Sequence, residues 1–316
     1  MMKIITSLSE IHNSGTLCSL ALGTFDGLHK GHLDVINTAK VQAQTNDLLL
    51  GVFTFSSHPL SLIDPKHLPT SLLTAERKRE CLQELGVDIM LDIPFTDALA
   101  KLTPEEFMDS LCLMGISSVT VGENFSYGVG GRGNISTLET AAIKYGFKLL
   151  VRPLCSSGGK IISSTEIRNA VLAGDVVSAA EMLGRNYGIE GIVVHGDKRG
   201  RILGFPTANI DLENIFVTVP AGGVYAVYIQ IGDNIYFGMA NIGSNPTFGD
   251  VKKPRLEVNI FDYNKDIYGE KVVVFFVSRI RGEQKFASFT DLQNALSKDE
   301  KACREILATS AAKISL

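Results

Sequence analysis

The segment GTFDGLHKGH, residues 23–32, decides the fold of the first half of this chain. It follows the apolar run of residues 17–22 and precedes a helical pattern, an order that predicts a buried strand, a turn and a helix start. A helix N-terminus favours anions through its unpaired N–H groups and its dipole. Histidines add side-chain donors there, and glycines let the backbone approach a ligand or adopt positive φ. These residues are His29, His32, Gly23, Gly27 and Gly31. The segment predicts a phosphate site of a nucleotide, the alternative being a capped helix with two surface histidines.

The composition, with 45% hydrophobic and 20% charged residues, is that of an ordinary globular protein, and 316 residues are enough for two domains. A net charge of −4 argues against an extended nucleic-acid interface, which needs a basic face. The longest apolar run, residues 48–55, is too short to span a bilayer, and no signal-peptide pattern is present. The five cysteines are scattered without CxxC spacing. We expect a cytoplasmic protein without a structural metal cluster, a nucleic-acid partner or a membrane partner.

Two different patterns divide the chain. The first half alternates apolar runs with helical patterns, which predicts an α/β domain built on a doubly wound parallel sheet. Its predicted strands are residues 17–22, 48–55, 89–93, 118–122 and 148–153, and its predicted helices are residues 32–44, 74–85, 103–114 and 138–145. The second half has consecutive strands separated by turn residues and a closing helix, which predicts an antiparallel β-barrel or sandwich. Those strands are residues 189–195, 223–231, 235–241, 255–261 and 271–278, with a helix from Phe289. The predicted domains are 1–184 and 185–316.

GTFDGLHKGH resembles the GxFDGxHxGH signature of the HxGH nucleotidylyltransferases, in the form found in bacterial FAD synthetases. This resemblance implies transfer of AMP from ATP with release of pyrophosphate. It also implies that His29 and His32 contact ATP phosphates, and that Asp26 lies by the phosphates or their magnesium. The ATP-binding residues that it implies within this segment are Gly23, Phe25, Asp26 and Gly31.

Three later segments follow the same family in order. FSSHPL contains His58 and is similar to an FxPHP loop that lines the cleft, with Ser57 in place of the first proline. Asn124 and Phe125 match an ENFxFG segment of the flavin and ATP cleft, although Ser126 stands where the family often has a basic residue. In ISSTEIR, Ser164 and Arg168 resemble a phosphate-binding motif; by themselves they predict either a helix cap with a solvated charge or a second anion clamp.

VGENFSYGVGGRG, which starts at Val121, also contains GxGxxG at Gly128, Gly130 and Gly133. This spacing suggests a dinucleotide-binding dehydrogenase. The glycines, however, trail the predicted strand, and no acidic residue ends the next strand near Arg152. The context therefore argues against a dehydrogenase.

The segment GDKRGRILGFPTAN, residues 196–209, resembles the GxxRGRxLGFPTAN signature of riboflavin kinases, which covers ATP and binds magnesium. The alternative for any one of its residues is an exposed hairpin and turn. A hydroxyl and an amide oxygen, those of Thr207 and Asn209, are hard ligands suited to magnesium. The ATP-binding residues implied here are Gly196, Lys198, Arg201, Gly204 and Pro206.

Glu257 lies between Leu256 and Val258 in a predicted strand, so its side chain points away from both. A strand glutamate usually just faces solvent, but the riboflavin kinase resemblance makes it the general base for the ribityl 5′-hydroxyl of riboflavin. The same resemblance places Arg281 and Phe286 in the flavin pocket, where Phe286 has the alternative of a core role.

Together the two resemblances identify the chain as a member of the bacterial bifunctional FAD synthetases, which make FMN from riboflavin and then FAD from FMN with ATP and Mg²⁺. We expect small-molecule substrates and no covalent enzyme intermediate. Three alternatives stay open: an FMN adenylyltransferase with a weak or lost kinase half, an adenylyltransferase for pantetheine phosphate or nicotinamide mononucleotide, and a non-enzymatic flavin sensor.

Overall fold

A computed structural model describes residues 2–11, 17–196, 204–212, 216–244 and 254–310. The described residues form two compact units. The first contains residues up to Pro69 and Ala75–Ser163, and the second contains Thr70–Thr74 and the residues from Ser164 onward. The sequence-based domains, 1–184 and 185–316, group residues 164–184 with the first half instead. That assignment of the two functional domains stays a prediction.

A six-stranded parallel sheet forms the centre of the first unit, in the order β1-β4-β3-β2-β5-β6. Its strands are β1 (Lys3–Ile5), β2 (Cys18–Leu22), β3 (Leu49–Phe55), β4 (Ile89–Ile93), β5 (Ile116–Gly122) and β6 (Lys148–Arg152). The predicted doubly wound sheet is confirmed. β1 was not predicted, because three residues at a sheet edge are too short to show an apolar period.

Helices follow most of these strands. They are α1 (Lys30–Thr45), α2 (Leu60–Ile63), α3 (Ala75–Glu84), α4 (Asp97–Lys101), α5 (Pro104–Cys112) and α6 (Ile135–Tyr145). Side-chain caps set their starts: Thr103 and Glu106 form a capping box at α5, and Asn134 caps α6. Gly146 ends α6 in the left-handed conformation. A short hairpin, β7 (Ser156–Ser157) and β8 (Lys160–Ile161), precedes the second unit.

The order of the strands locates the crevice of this sheet. β2 lies between β3 and β5, so the sheet grows outward in both directions from β2. All five residues of β2 are buried. Ligands of such sheets bind beyond the carboxyl ends of the strands where the order reverses. The loops after β2 and β5 flank that point, and they contain the segments GTFDGLHKGH and ENFSYG.

A closed antiparallel barrel forms the second unit, in the order β10-β13-β12-β11-β14-β9. Its strands are β9 (Tyr187–Val194), β10 (Ala208–Ile210), β11 (Gly223–Ile231), β12 (Asn234–Ser244), β13 (Pro254–Ile260) and β14 (Lys271–Gly282). α9 (Phe289–Thr309) packs its buried Cys303 and Leu307 against a barrel core that includes Tyr228 and Phe275. The prediction of a barrel with a closing helix is confirmed. β10 was missed, since it is only three residues long.

The second unit also contains α7 (Ser164–Ala173), α8 (Val176–Leu183) and the distant segment Thr70–Thr74. Ser71 pairs with Val217, and the Thr70 carbonyl accepts a hydrogen bond from Nε of Arg168 at 2.7 Å. Long-range contacts therefore bring a five-residue piece of the first half into this unit. None of the helices in the described residues combines the length and the apolar character needed to cross a membrane.

Candidate active sites

The turn between β2 and α1 has an unusual backbone. Phe25 and Leu28 adopt positive φ, 49° and 43°, together with Gly27 at 83°. Left-handed backbone is costly for bulky residues and persists only when the surroundings hold it. Both side chains are fully buried, which provides that anchor. Gly23 is required because a Cβ there would come within 2.9 Å of the Phe25 ring. The buried side chains of Phe25 and Leu28 therefore hold the turn in this conformation.

His29 is the N-cap of α1. Its Nδ1 accepts a hydrogen bond from the backbone N–H of His32 at 3.3 Å, so Nε2 is the nitrogen left to bear a proton. A Cβ at Gly31 would come within 3.3 Å of the His29 ring, which explains the glycine. The buried imidazole is thus fixed at the positive end of a 16-residue helix.

His32 stacks on His29 with ring centroids 3.6 Å apart and meets the edge of Phe25 at 5.3 Å. Its buried Nδ1 has no hydrogen-bond partner among the described residues. Desolvation, followed by the charges of His29 and Lys78, holds the pKa of His32 well below 6.5. His32 is therefore a neutral imidazole at pH 7, which can donate or accept one hydrogen bond without carrying charge.

The structure adds a residue that sequence reasoning missed. Lys78 of α3 donates to the Phe55 carbonyl at 2.8 Å and to Oγ1 of Thr54 at 3.2 Å, at the carboxyl end of β3. Asp26 is among the charges that act on it. No motif marks Lys78, because its position in the site depends on how α3 packs over the sheet.

The other predicted cleft residues of the first unit follow β3 and β5. Nδ1 of half-buried His58 accepts from the backbone N–H of Leu60 at 3.1 Å, and Oγ of Ser57 accepts from the backbone N–H of Phe95 at 3.2 Å. That second bond ties down the loop in which a serine replaces a proline. Asn124 is exposed, and Phe125 stacks on Tyr127 with centroids 5.7 Å apart.

Ser164 and Arg168 lie on α7, in the second unit, whereas the two histidines lie in the first. Arg168 is 8% exposed, and its Nε is used to hold Thr70. Arg168 is therefore buried and hydrogen-bonded, so it is not the solvated surface charge that was the alternative interpretation. Its contact with ATP stays a prediction.

In the barrel, β13 brings three predicted residues together. Asn209 of β10 is directly opposite Glu257 in the antiparallel ladder, and Oγ1 of Thr207 donates to Oε2 of Glu257 at 3.4 Å. Leu256 and Val258 are fully buried while the Glu257 side chain is 27% exposed, so Glu257 does point away from both neighbours. A hydroxyl, an amide and a carboxylate thus converge on the outer face of the barrel.

Arg255 completes this cluster. Its Nη2 and Nε donate to Oδ1 of Asn209 at 2.8 and 3.1 Å, and its Nε lies 2.9 Å from Oε1 of Glu257. The oxygen predicted to bind magnesium therefore already faces a cation. The hard oxygen donors of Thr207, Asn209 and Glu257 fit a magnesium ion in chemical type, although Arg255 would compete with it for Oδ1 of Asn209. The described residues contain no metal-binding cluster of three or more His, Cys, Asp or Glu.

The remaining predicted ATP contacts of the barrel surround this cluster. Any Cβ at Gly196 would overlap the side-chain amide of Asn209, and Gly204 has a φ of +85°. The Pro206 carbonyl accepts a hydrogen bond from Nδ2 of Asn259 at 2.7 Å. Lys198 and Arg201 lie outside the described residues.

A cavity of about 200 Å³ opens beside Pro206 and Thr207. Its far wall is the segment of residues 263–268, which includes Tyr263 and Tyr268, and its apolar floor includes Val258. The ring of Tyr268 lies against that of His195, with centroids 3.8 Å apart and the planes tilted by 40°. An aromatic wall next to hard oxygen ligands suits a nucleotide. The two tyrosines carry no signal in the sequence, because a turn tyrosine has no distinctive spacing.

Arg281 forms an ion pair with Asp299, a residue that was not predicted to belong to the site. Asp299 of α9 is 5% exposed and accepts from Nε of Arg281 at 2.9 Å, with Nη2 at 2.8 Å. The guanidinium also lies 5.4 Å from the centre of the half-buried Phe286 ring. Asp299 thus orients Arg281, which in turn lies over the Phe286 ring.

The five cysteines are free thiols. Burial raises the pKa of Cys18 and of Cys303 to about 12, and that of Cys112 to about 11. Such thiols are poor nucleophiles.

Comparisons with known proteins assign a family to each half of the chain. The FAD synthetase family model matches residues 11–166, and the riboflavin kinase family model matches residues 183–307. The dehydrogenase alternative for Gly128, Gly130 and Gly133 is wrong, because these glycines lie within the FAD synthetase match and in a loop that ends before α6.

The chain is 38% identical over 286 residues to the bifunctional riboflavin kinase/FMN adenylyltransferase of Bacillus subtilis, covering 89% of this chain and 90% of the relative. It is 34% identical to the protein of that name from Escherichia coli K12, covering 96% and 97%. A solved structure from Streptococcus pneumoniae, described as a macrolide-efflux protein, superposes with a TM-score of 0.88 at 34% identity, covering 96% of this chain and 98% of its own. That description concerns the other protein; the superposition supports the fold.

Both domain matches and these full-length relatives give the same assignment: the chain belongs to the family of bifunctional riboflavin kinase/FMN adenylyltransferases.

Proposed function

We propose that each unit carries one of the two activities of the family, with the residues described above. The observation that carries this proposal is that each unit has its own cluster of functional groups on its own elements. The first has stacked His29 and His32 at the start of α1, and the second has Thr207, Asn209 and Glu257 on neighbouring strands. A chain with one working half would not need both clusters.

In the first unit, a phosphate oxygen of FMN attacks the α-phosphorus of ATP. The new bond joins the two phosphates of FAD, and the bond from the α-phosphorus to the bridging oxygen of pyrophosphate breaks. The FMN phosphate is already anionic, so no base is required. The imidazole N–H groups of His29 and His32 and the N-terminus of α1 stabilise the charge that develops on the leaving pyrophosphate. Asp26 and backbone groups at Gly23, Phe25 and Gly31 would surround the phosphates.

In the second unit, the ribityl 5′-hydroxyl of riboflavin attacks the γ-phosphorus of ATP, and ADP leaves. Glu257 accepts the hydroxyl proton as the new O–P bond forms. Thr207 and Asn209 would hold Mg²⁺, which supplies charge neutralisation to the phosphates when bound. Because Oδ1 of Asn209 also accepts from Arg255, the guanidinium and a metal ion compete for the same oxygen.

The remaining roles are assigned by position. The cavity beside Thr207 would take the nucleotide, with Gly196, Gly204 and Pro206 at its border and Lys198 and Arg201 as further phosphate contacts. His58, Asn124 and Phe125 would contact flavin in the first unit, and Arg281 and Phe286 in the second. Ser164 and Arg168 would contact ATP phosphates. Use of ATP and five unpaired thiols fit a cytoplasmic enzyme acting on small molecules.

The test is a direct assay of the purified full chain with riboflavin, ATP and Mg²⁺, in which riboflavin, FMN and FAD are separated chromatographically. A second reaction starts from FMN. We expect FMN and then FAD in the first reaction, and FAD with pyrophosphate in the second. FAD from FMN without FMN from riboflavin would show a single working half, and flavin binding without conversion would favour a sensor.

A further inference from the structure

Lys78 has an unusual place in the first unit. Its ammonium is tied to the carboxyl end of β3 by the Phe55 carbonyl at 2.8 Å and Oγ1 of Thr54 at 3.2 Å. The same Thr54 hydroxyl donates to the carbonyl of Thr24 at 2.8 Å. One hydroxyl group therefore links the ammonium to the loop of residues 23–32.

The charges around Lys78 belong to the same site. Desolvation lowers its pKa, while the carboxylates of Asp92 and Asp26 act in the opposite direction. The charge of Lys78 is in turn one of the causes that lower the pKa of His32. Lys78 is thus electrostatically coupled to two residues of the motif.

Asp92 is shared with a second cation, so it does not fully neutralise Lys78. Its Oδ2 accepts two hydrogen bonds from Arg79, at 2.7 and 3.1 Å, and its Oδ1 has no hydrogen-bond partner among the described residues. The buried carboxylate is therefore shared between two cations. An ammonium held out of water costs free energy unless an anion is near it, and a bound phosphate would supply that anion.

Lys40 shows what a purely structural lysine looks like in this unit. It donates to the carbonyl of Leu85 at 2.8 Å and so ties α1 to the turn after α3. Lys78 makes a similar carbonyl bond, but it does so at the sheet edge where the phosphates are expected. An ammonium has three donors, and only two of those of Lys78 have partners in the hydrogen bonds described here.

We propose that Lys78 is a further catalytic residue of AMP transfer, whose ammonium contacts a phosphate oxygen bound at the loop of residues 23–32. The phosphate belongs to ATP or to FMN, and both present the same chemistry to a lysine. Lys78 keeps its proton and forms no covalent bond; it stabilises negative charge as the bond between the α- and β-phosphates breaks. This inference rests on the proposed function of the first unit.

The test compares the full-length variants K78Q, K78R and K40Q with the wild type. Glutamine keeps a donor for the Phe55 carbonyl but removes the charge, so K78Q separates charge from hydrogen bonding. We expect K78Q to lower kcat for FAD formation from FMN by about 100-fold. K78R should recover part of that loss, and K40Q should lose less than about threefold. Formation of FMN from riboflavin, measured in the same samples, should be unchanged, which shows that the second unit is intact. Thermal melts of the variants check the fold of the first unit.

Binding measurements identify the phosphate. The difference between K78Q and the wild type in calorimetric titration with pyrophosphate reports the ATP side, and the difference in quenching of FMN fluorescence reports the FMN side. Binding to the second unit is the same in both proteins and does not contribute to these differences. A tenfold weaker affinity of K78Q for one of them supports the proposal and names the source. Wild-type values of kcat, KM and both affinities in K78Q would overturn it. If the wild type made no FAD from FMN, the proposed function would fail, but the pyrophosphate and FMN titrations would still decide whether Lys78 contacts phosphate.

Discussion

At the scale of single residues, Glu257 offers the sharpest test of the kinase site. The substitution Glu257→Gln keeps the shape of the side chain and can still accept from Oγ1 of Thr207, but it removes the proton acceptor. We expect FMN formation from riboflavin to fall by about 10²- to 10⁴-fold. FAD formation from supplied FMN should be unchanged, and both rates are measured by chromatography.

Glu190→Gln is the matched control for Glu257→Gln. Glu190 also lies on a barrel strand and accepts from the Thr74 hydroxyl at 3.0 Å, but it is not part of the Thr207–Asn209 cluster. Both activities should survive this change. Equal loss of the two activities in Glu257→Gln would contradict a separate kinase site.

His32 makes a prediction about pH. Its pKa in the folded chain lies well below the ordinary 6.5, so below pH 6.5 the unfolded chain binds more protons than the folded chain. The contribution of His32 to the free energy of unfolding of the first unit should therefore be fully present above pH 6.5. It should decrease as the pH falls below 6.5. The slope contributed by one such group is at most about 1.4 kcal/mol per pH unit.

Urea denaturation of His32→Asn at a series of pH values from 7.5 to 5 checks this. The variant should have a flatter dependence on pH than the wild type below pH 6.5. His67→Asn, at a side chain that is 80% exposed, is the control for the histidine-to-asparagine substitution itself. An unchanged slope in His32→Asn would show that His32 is not held neutral by burial.

Sequence reasoning selects candidate residues whose predicted chemistry is carried by their own segment. His29, His32, Thr207 and Asn209 stand in strings that carry their chemistry locally. It missed Lys78, Arg255 and Asp299, which each meet their partners through packing between distant elements. A lone lysine or aspartate on a helix has no local pattern that distinguishes it from a solvated charge.

At the scale of secondary-structure elements, the ion pair of Arg281 and Asp299 joins β14 to α9. The two side chains are only 18% and 7% exposed, so removal of one charge leaves the other buried without its partner. We expect Asp299→Asn to lower the free energy of unfolding of the barrel by about 3 kcal/mol. It should also raise the KM for riboflavin, because Arg281 loses the group that orients it.

The same helix supplies the control. Arg304 of α9 pairs with Asp262 at 2.8 Å, but the Asp262 side chain is 79% exposed. Asp262→Asn should therefore leave the thermal midpoint and the riboflavin KM unchanged. Thermal melts and kinase assays of the two variants show whether the effect of Asp299→Asn comes from the burial of its ion pair or from the loss of any ion pair on α9. Similar behaviour of both variants would contradict the structural role of Asp299.

The elements themselves were largely predictable, because buried strands and amphipathic helices leave periods in the sequence. β2, β3 and β4 were located to within a residue at either end. Most of the elements that were missed are short: β1, β10, β7 and β8 have two or three residues and α2 and α4 have four and five, too few to show a period. The eight-residue helix α8 was missed as well. β10 exists because Asn209 and its neighbours pair with β9 and β13 on either side.

At the scale of the whole molecule, the change from alternating strands and helices to consecutive strands correctly predicted a parallel sheet followed by a barrel. The packing of Thr70–Thr74 and α7 with the barrel was not predictable from local patterns. It depends on contacts such as the 2.7 Å hydrogen bond from Arg168 to Thr70, between residues far apart in sequence. Loops and linkers carry little periodic information, so their partners appear only in the folded chain.

Two sites on two units also predict how the chain behaves when one site is disabled. Glu257→Gln should make FAD only from supplied FMN, and the double variant His29→Ala/His32→Ala should stop at FMN. Neither protein alone should convert riboflavin to FAD.

An equimolar mixture should regain that conversion, because FMN released by the double variant reaches the intact first unit of the other protein through solvent. FAD should then appear after a lag in which FMN accumulates, with a final rate that rises with the concentration of Glu257→Gln. A mixture that makes FMN but no FAD would show that FMN must stay within one molecule, and the sites would then have to act as a coupled pair.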